Sequence, residues 1–347
     1  MKLSQALLLF LPLACAAQTI QGNLRNGTTG KAEPGQQVIL FTAAGEQGRA
    51  TTNDDGSFAI EGTSKAPLHS AAVLKVSHDG VEYFQPVRPG QNANMSVYDS
   101  SSRASGIKGV LSILQFQVKG KMLEVTELHA FDNASNPPTT RVDPDNLVLS
   151  IPAEAQARGV TVSEPNGGTA KLQLISIPGS NSKYRVDFPM KPGLTKYAIS
   201  YEVPYTGEFV FRRQSQYPMK RIGVIVPSSM NFRSLGAKSF HEVKDQPGTH
   251  EQVIDGLDAN RAFSFAISGT GELARSFRPL NPGQPSRSMG AKVLIDAPLL
   301  QGESSKANAG SSQADDTLRR NYVTLMVGML ALVGLLVWRV RSRVWAR

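Results

Sequence analysis

The residue types that could support catalysis or metal binding are few in this chain and widely spaced. Two of its five histidines sit in His241-Glu242 and His250-Glu251, and adjacent strands could bring these dipeptides together. Neighbours along a strand point to opposite faces, so at most the two histidines or the two acids are expected to converge, which is too few for a metal. Asn53-Asp54-Asp55-Gly56 invites a calcium reading. With Gly56 as the sixth residue of a calcium loop, the first is Thr51 and the twelfth Gly62, so both end ligands are missing and a turn is expected. Ser268-Gly269-Thr270-Gly271 ends a strand-like run and opens no helix, so it does not form the usual phosphate cradle. The sequence contains no G-x-S-x-G elbow, Walker loop or G-x-G-x-x-G fingerprint. No catalytic residue, metal ligand or cofactor is assigned, and the chain is read as non-enzymatic.

Aromatic residues are the other candidates for a ligand site. A sugar site needs a flat ring against the apolar face of the pyranose, beside a few polar groups. Both tryptophans, Trp338 and Trp345, fall at the C-terminal end, leaving Tyr83, Phe84 and Tyr98 as candidates for a platform, with one of Tyr83 and Phe84 expected to face the core. Tyr201, Tyr205 and Tyr217 lie near Phe209 and Phe211 in the densest aromatic region of the chain. Tyr205 and Tyr217 are the candidates there for a partner contact, should the tyrosines be exposed together. Core packing is the plainer expectation for all of them.

The elements that must position these residues read as strands. Over residues 18–100, short runs recur: Ile20–Leu24, Gln37–Thr42, Gly48–Thr52, Ser57–Ile60, Ala72–Ser77, Val81–Val87 and Asn94–Tyr98. Asp55-Gly56 and Asp79-Gly80 supply the positive φ of tight turns, predicting hairpins between Gly48–Thr52 and Ser57–Ile60 and across residues 78–80. Ala72, Leu74 and Val76 alternate with polar neighbours as a half-buried strand should.

Ile20-Gln21-Gly22, a loop through Pro34 into Val38-Ile39-Leu40, and Thr51-Thr52-Asn53-Asp54-Asp55-Gly56-Ser57-Phe58 follow one another in an order that resembles the carboxypeptidase regulatory-like domain. That domain is a small transthyretin-like sandwich of the carbohydrate-binding-like fold group. The later segments His78–Gly90 and Ser96–Asp99 resemble the second half of versions found in bacterial envelope proteins. The resemblance covers residues 18–100 only and implies an accessory module. Its peptidase activity does not transfer, because none of the five histidines has a glutamate three residues on.

Residues 107–275 carry eleven more strand-like runs, separated by turn signals such as Asn166-Gly167, Pro178-Gly179, Pro192-Gly193 and Pro247-Gly248. One large sandwich or two small ones, divided near residue 205, are expected. Ala153–Arg158 reads as a single helical turn. Residues 276–320, with four prolines followed by a small polar run, read as a flexible linker reaching on the order of 35 Å.

Both ends point to export and a membrane. Lys2, the apolar run Ala6–Leu13 and the small residues Ala14–Ala17 read as a signal peptide over residues 1–17. Cys15 is the only cysteine, and Pro12 three positions earlier argues against lipidation, so the mature chain has no disulfide. Tyr322–Trp338 is seventeen residues without a charge, flanked by arginines and ending in aromatics, and sets a transmembrane helix over 321–339. Arg339, Arg341, Arg343 and Arg347 put the basic stub 340–347 in the cytoplasm. Those four, with Lys2, Arg319 and Arg320, account for seven of the 37 basic residues. The exported part keeps 30 against 28 acids, near neutrality, and no nucleic-acid partner is expected.

The expectation is an all-β, exported protein of tandem β-sandwich domains, followed by a linker and one membrane helix. A cysteine-free ectodomain fits the periplasm, anchored in a bacterial inner membrane. Its expected work is binding or scaffolding another envelope protein, with polysaccharide binding as the alternative and an uncharacterised hydrolase as the third.

Overall fold

The computed structural model describes residues 19–273 apart from 44, 62–71, 89, 237–239 and 244–247. The signal peptide, linker, membrane helix and stub expected from the sequence lie outside the described residues. Among the described residues the structure is all β, with no helix long and apolar enough to cross a membrane. The chain divides into two compact units. One holds residues up to 25, 32–77 and 82–95; the other holds 26–31, 78–81 and everything from 96 onward.

Seven strands build the first unit: β1 (Thr19–Asn26), β2 (Gln37–Thr42), β3 (Gly45–Thr51), β4 (Ser57–Glu61), β5 (Ala72–His78), β6 (Val81–Val87) and β7 (Ala93–Val97). They form two sheets, ordered β3-β2-β5-β6 and β4-β1-β7. Alternation does the sorting: Val38 and Leu40 on β2, Leu74 and Val76 on β5, Phe58 and Ile60 on β4 are all buried, while Gln37, Ala59 and Glu61 face out. Asp79 and Gly80 both take positive φ, as the predicted β5–β6 hairpin requires.

The other expected hairpin is not one. The turn at Asn53–Gly56 is present, with the Asn53 N–H donating to the Ser57 carbonyl and Gly56 at φ 78°. Yet β3 pairs with β2 and β4 pairs with β1, so the chain changes sheets there. The cause is Thr52: buried, it exchanges backbone hydrogen bonds with the 35–36 segment and its hydroxyl donates to the Glu33 carbonyl, pulling the chain out of the β3 ladder.

The second unit contains β8 (Ser100–Ser101), β9 (Ile107–Lys119), β10 (Met122–Asn133), β11 (Thr140–Arg141), β12 (Leu147–Ser150), β13 (Gln156–Ser163), β14 (Thr169–Leu172) and β15 (Ile175–Ser176). It continues with β16 (Lys183–Val186), β17 (Gly193–Pro204), β18 (Glu208–Gln214), β19 (Met219–Pro227), β20 (Met230–Ser234), β21 (His241–Val243), β22 (Thr249–Leu257) and β23 (Ala262–Gly269). An eight-stranded sheet runs β14-β13-β17-β10-β9-β19-β22-β21, antiparallel except where β19 lies parallel to β9. Two three-stranded sheets, β18-β23-β20 and β12-β16-β15, and the short parallel pair β11-β8 complete it. The expected helical turn at 153–158 is instead one hydrogen-bonded turn, Ala155 N–H to Pro152 carbonyl, leading straight into β13.

One apolar cluster runs from Ile107 to Ile267 and draws on strands from both sides of residues 204–207. Its hub is Phe265, stacked on Phe211 (centroids 5.0 Å apart) and met edge-on by Phe116 and Phe240. The central strands β9 and β19 are buried almost continuously because both of their faces are covered. On the face away from the main cluster, Ile113, Ile225 and Leu273 pack together.

Candidate functional site

The aromatic residues singled out from sequence do not assemble into a platform. Tyr83 is buried in the first unit's core, and Phe84 lies half-buried beneath the Lys75 ammonium, 6.0 Å from the ring centroid. Tyr98 is half-buried with its ring so close to Gly27 that a Cβ there would stand 2.2 Å from it. In the second unit Tyr217 is buried and donates its hydroxyl to the Asn146 carbonyl. Tyr205 donates to the carbonyls of Gly207 and Gly269, closing the turn between β17 and β18. Phe209 and Phe211 face the core. The tyrosines do not form an exposed cluster: the Tyr205 and Tyr217 hydroxyls have internal acceptors, and these rings pack as the plainer expectation had it.

The dipeptides on β21 and β22 also depart from expectation. The antiparallel register sets Glu242 opposite Gln252, which puts His250 on the face of Glu242, while His241 shares a face with Asp255. His250 Nδ1 lies 2.8 Å from Glu242 Oε1, and His241 Nε2 lies 3.6 Å from Asp255 Oδ2. Each histidine meets an acid, and the two histidines are on opposite faces.

Sequence reasoning missed a buried polar network in the main core. Along β10, Leu123, Val125, Glu127, His129 and Phe131 all face inward. Glu127 is fully buried and is held by three elements. Arg213 on β18 grips both of its oxygens, through Nη1 to Oε2 and Nη2 to Oε1. Tyr201 on β17 donates to Oε1 at 2.8 Å. His129 Nε2 lies 2.8 Å from Oε2, and its Nδ1 lies 2.6 Å from Ser112 Oγ on β9. A carboxylate only accepts, so His129 donates to it from Nε2.

Burial alone would raise the Glu127 pKa. The Arg213 charge and the bonds from His129 and Arg213 overcome it and hold the carboxyl well below its ordinary range. Burial, followed by the Glu127 charge, pushes Tyr201 well up. Burial works against the Arg213 charge too, but Glu127 more than compensates and raises it.

Serine, histidine and glutamate in a row suggest a nucleophilic relay, but this one is closed. Ser112 and His129 are both about 95% buried, and Ser112 sits mid-strand between two paired neighbours, opposite His129 on β10 and Ile222 on β19. No substrate carbonyl can approach Oγ without parting the central sheet. What the arrangement does chemically is fix charge: it locks β9, β10, β17 and β18 to one another through an ion pair in which Arg213 Nη1 and Nη2 are bonded and its buried Nε has no partner among the described residues.

A second feature faces solvent on the sheet β18-β23-β20. Its outward row sets Val210 against Ala266 and Arg233, and the next row sets Arg212 against Ser264. Leu235, just past β20, donates its N–H to the Ser264 carbonyl. Val210 and Leu235 are two of four exposed large apolar side chains among the described residues, at 43% and 37%. The patch combines two exposed apolar groups with two exposed guanidinium groups, and Glu208 on the same face pairs with Arg233 at 3.1 Å.

A third feature belongs to the first unit. Gln21, Asn23, Asn53, Asn92, Asn94 and Ser57 surround a shallow hollow of ≈ 340 Å³ on the β4-β1-β7 side, with no charged group in its lining.

No protein-family model matches this sequence, and no curated protein matches it. Solved structures similar in shape include an M1 zinc metallopeptidase from Deinococcus radiodurans, at 11% identity and a TM-score of 0.29 over 47% of this chain and 42% of that one. Native yeast LTA4 hydrolase is similar at 9% identity and a TM-score of 0.33, over 47% of this chain and 29% of that one. The chain thus spans less than half the length of these structures, and likeness at this level carries no functional argument.

Proposed function

We propose that the protein is a non-catalytic, membrane-anchored envelope protein that binds or scaffolds another envelope protein through a sheet surface of its ectodomain. The observation that carries this reading is the outward face of β18-β23-β20, where Val210, Leu235, Arg212 and Arg233 stand exposed together. Apolar groups beside arginines are the composition of contact surfaces, since a guanidinium gives directed bonds and a buried methyl group gives area. Arg233 is paired with Glu208 on the same face, so the face suits a partner presenting a carboxylate to Arg212 beside an apolar group. The same strands turn their aromatic residues inward, so the face is rigidly backed. A near-neutral ectodomain leaves recognition to such a local patch and not to bulk charge. Cross-linking in native membranes tests the reading. The wild-type chain is expected to give a discrete adduct that Arg212→Glu with Arg233→Glu removes, and an unchanged adduct in that double variant would refute the assignment of this face.

A second reading is supported by the amide-lined hollow of the first unit. Amide groups offer both donors and acceptors to sugar hydroxyls, and the absence of charge in the lining suits a neutral polysaccharide. Retention on immobilised neutral glycans, lost on Asn94→Ala, would favour it; passage through the column unretained would not.

A further inference from the structure

In the second unit, His78, Asp79 and Asp99 bring one ligand atom each into a small space, all within 4.8 Å of one another. We infer that these three residues bind a divalent transition-metal ion of the zinc type. His78 ends β5, Asp79 opens the tight turn that follows, and Asp99 lies just past β7.

The spacing of the ligand atoms is compatible with an ion. His78 Nε2 stands 3.4 Å from Asp99 Oδ1, a long hydrogen bond when no ion is bound. Two ligands at about 2.0–2.1 Å from a tetrahedral ion lie about 3.3–3.4 Å apart, and that separation is the one found. Asp79 Oδ2, which accepts the Ser100 N–H, is 3.9 Å from the same nitrogen and supplies a third ligand atom within reach. The imidazole side chain is only 10% exposed, so it is held in place before any ion arrives.

The surroundings orient the ligands as the outer shell of a metal site does. Asn26 Nδ2 donates to Asp99 Oδ1 at 2.6 Å, and the amide cannot turn away because its own oxygen accepts the N–H groups of Thr28 and Thr29. The Asp99 N–H donates to Thr28 Oγ1, and the Ser100 N–H donates to Asp79 Oδ2. One imidazole and two carboxylates give a neutral nitrogen and two negative charges, a donor set that suits Zn²⁺ or Mn²⁺ and leaves a position open to water. Bound there, the ion would fasten the β5–β6 turn to the chain at Asp99.

The test is zinc binding to the purified full chain in detergent, read by competition with a chromophoric chelator. One tight Zn²⁺ per chain is expected, lost on His78→Gln and weakened about tenfold or more on Asp79→Asn. Asn accepts positive φ readily, so Asp79→Asn keeps the turn and stays informative if His78→Gln disturbs folding. His241→Gln with His250→Gln is expected to leave the site unchanged. Absence of zinc binding in the micromolar range, equal affinity in wild type and Asp79→Asn, or loss confined to the His241/His250 variant would each overturn the assignment.

Discussion

Glu127 is the residue on which the second unit's stability should depend most sharply. Removing one member of a buried pair leaves the other charge stranded, at about 3–5 kcal/mol. Glu127→Gln is therefore expected to lower stability by that order in denaturant melts of the ectodomain. Replacing both partners, with Arg213→Met added, should recover most of the loss, because two apolar groups strand nothing. Tyr201→Phe removes one of several donors to the carboxylate and should cost less, about 1.5–3 kcal/mol. The pH dependence has a definite sign. Glu127 has a folded-state pKa below its ordinary 4.5, so its contribution is complete above that value and is lost as the pH falls below it. Wild type should lose stability steadily below about pH 4.5, and Glu127→Gln should show a flatter slope over the same range. The pattern that buries Glu127 was legible in the alternation Leu123, Val125, Glu127, His129, Phe131. What could not be read was the reason a charge is tolerated there. Arg213 is 86 residues away, and no local rule couples the two.

At the scale of elements, alternation located most strands, and two kinds of error mark its limit. Ala153–Arg158 is rich in helix-forming residues and reads as a helical turn, but its last three residues open β13, where pairing with β17 overrides that preference, since tertiary contacts outweigh propensity. The Asn53–Gly56 turn was correctly placed, but the strands around it were assigned to each other. A turn fixes only local geometry, and the Thr52 bonds that carry the chain to the other sheet are made to residues 16 and more positions earlier. Close packing between strands gives a prediction of its own. A Cβ on Gly22 would lie 2.2 Å from the Ala93 carbonyl oxygen and 2.5 Å from the Phe58 ring. Gly22→Ala must therefore push β7 or Phe58 aside, and about 1–3 kcal/mol of destabilisation is expected in thermal melts. Val210→Ser, on the open face of β18, should leave the melting temperature nearly unchanged. The candidate face is not legible in the sequence because the aromatic residues of β18 that stand out there turn inward, while Val210 and Arg212 between them point the other way.

For the whole molecule, the all-β described residues are proposed to stand outside a membrane anchor at Tyr322–Trp338. With Gly328 and Gly334 six residues apart, that segment has no small-xxx-small face from its glycines, and a reporter of helix association in membranes should show it monomeric. Protease added to spheroplasts should remove the bulk of the chain and spare a short C-terminal fragment; full protection would reverse the topology. The central claim is that this protein works by contact through one face of the β18-β23-β20 sheet. The most direct measurement places a photo-crosslinking residue at Val210, at Leu235 and, as a control, at the exposed Ile175 on β15, and illuminates intact cells. The account predicts one discrete adduct with an envelope protein from positions 210 and 235 and none from 175. No adduct from either face position, or the same adduct from all three, would contradict it.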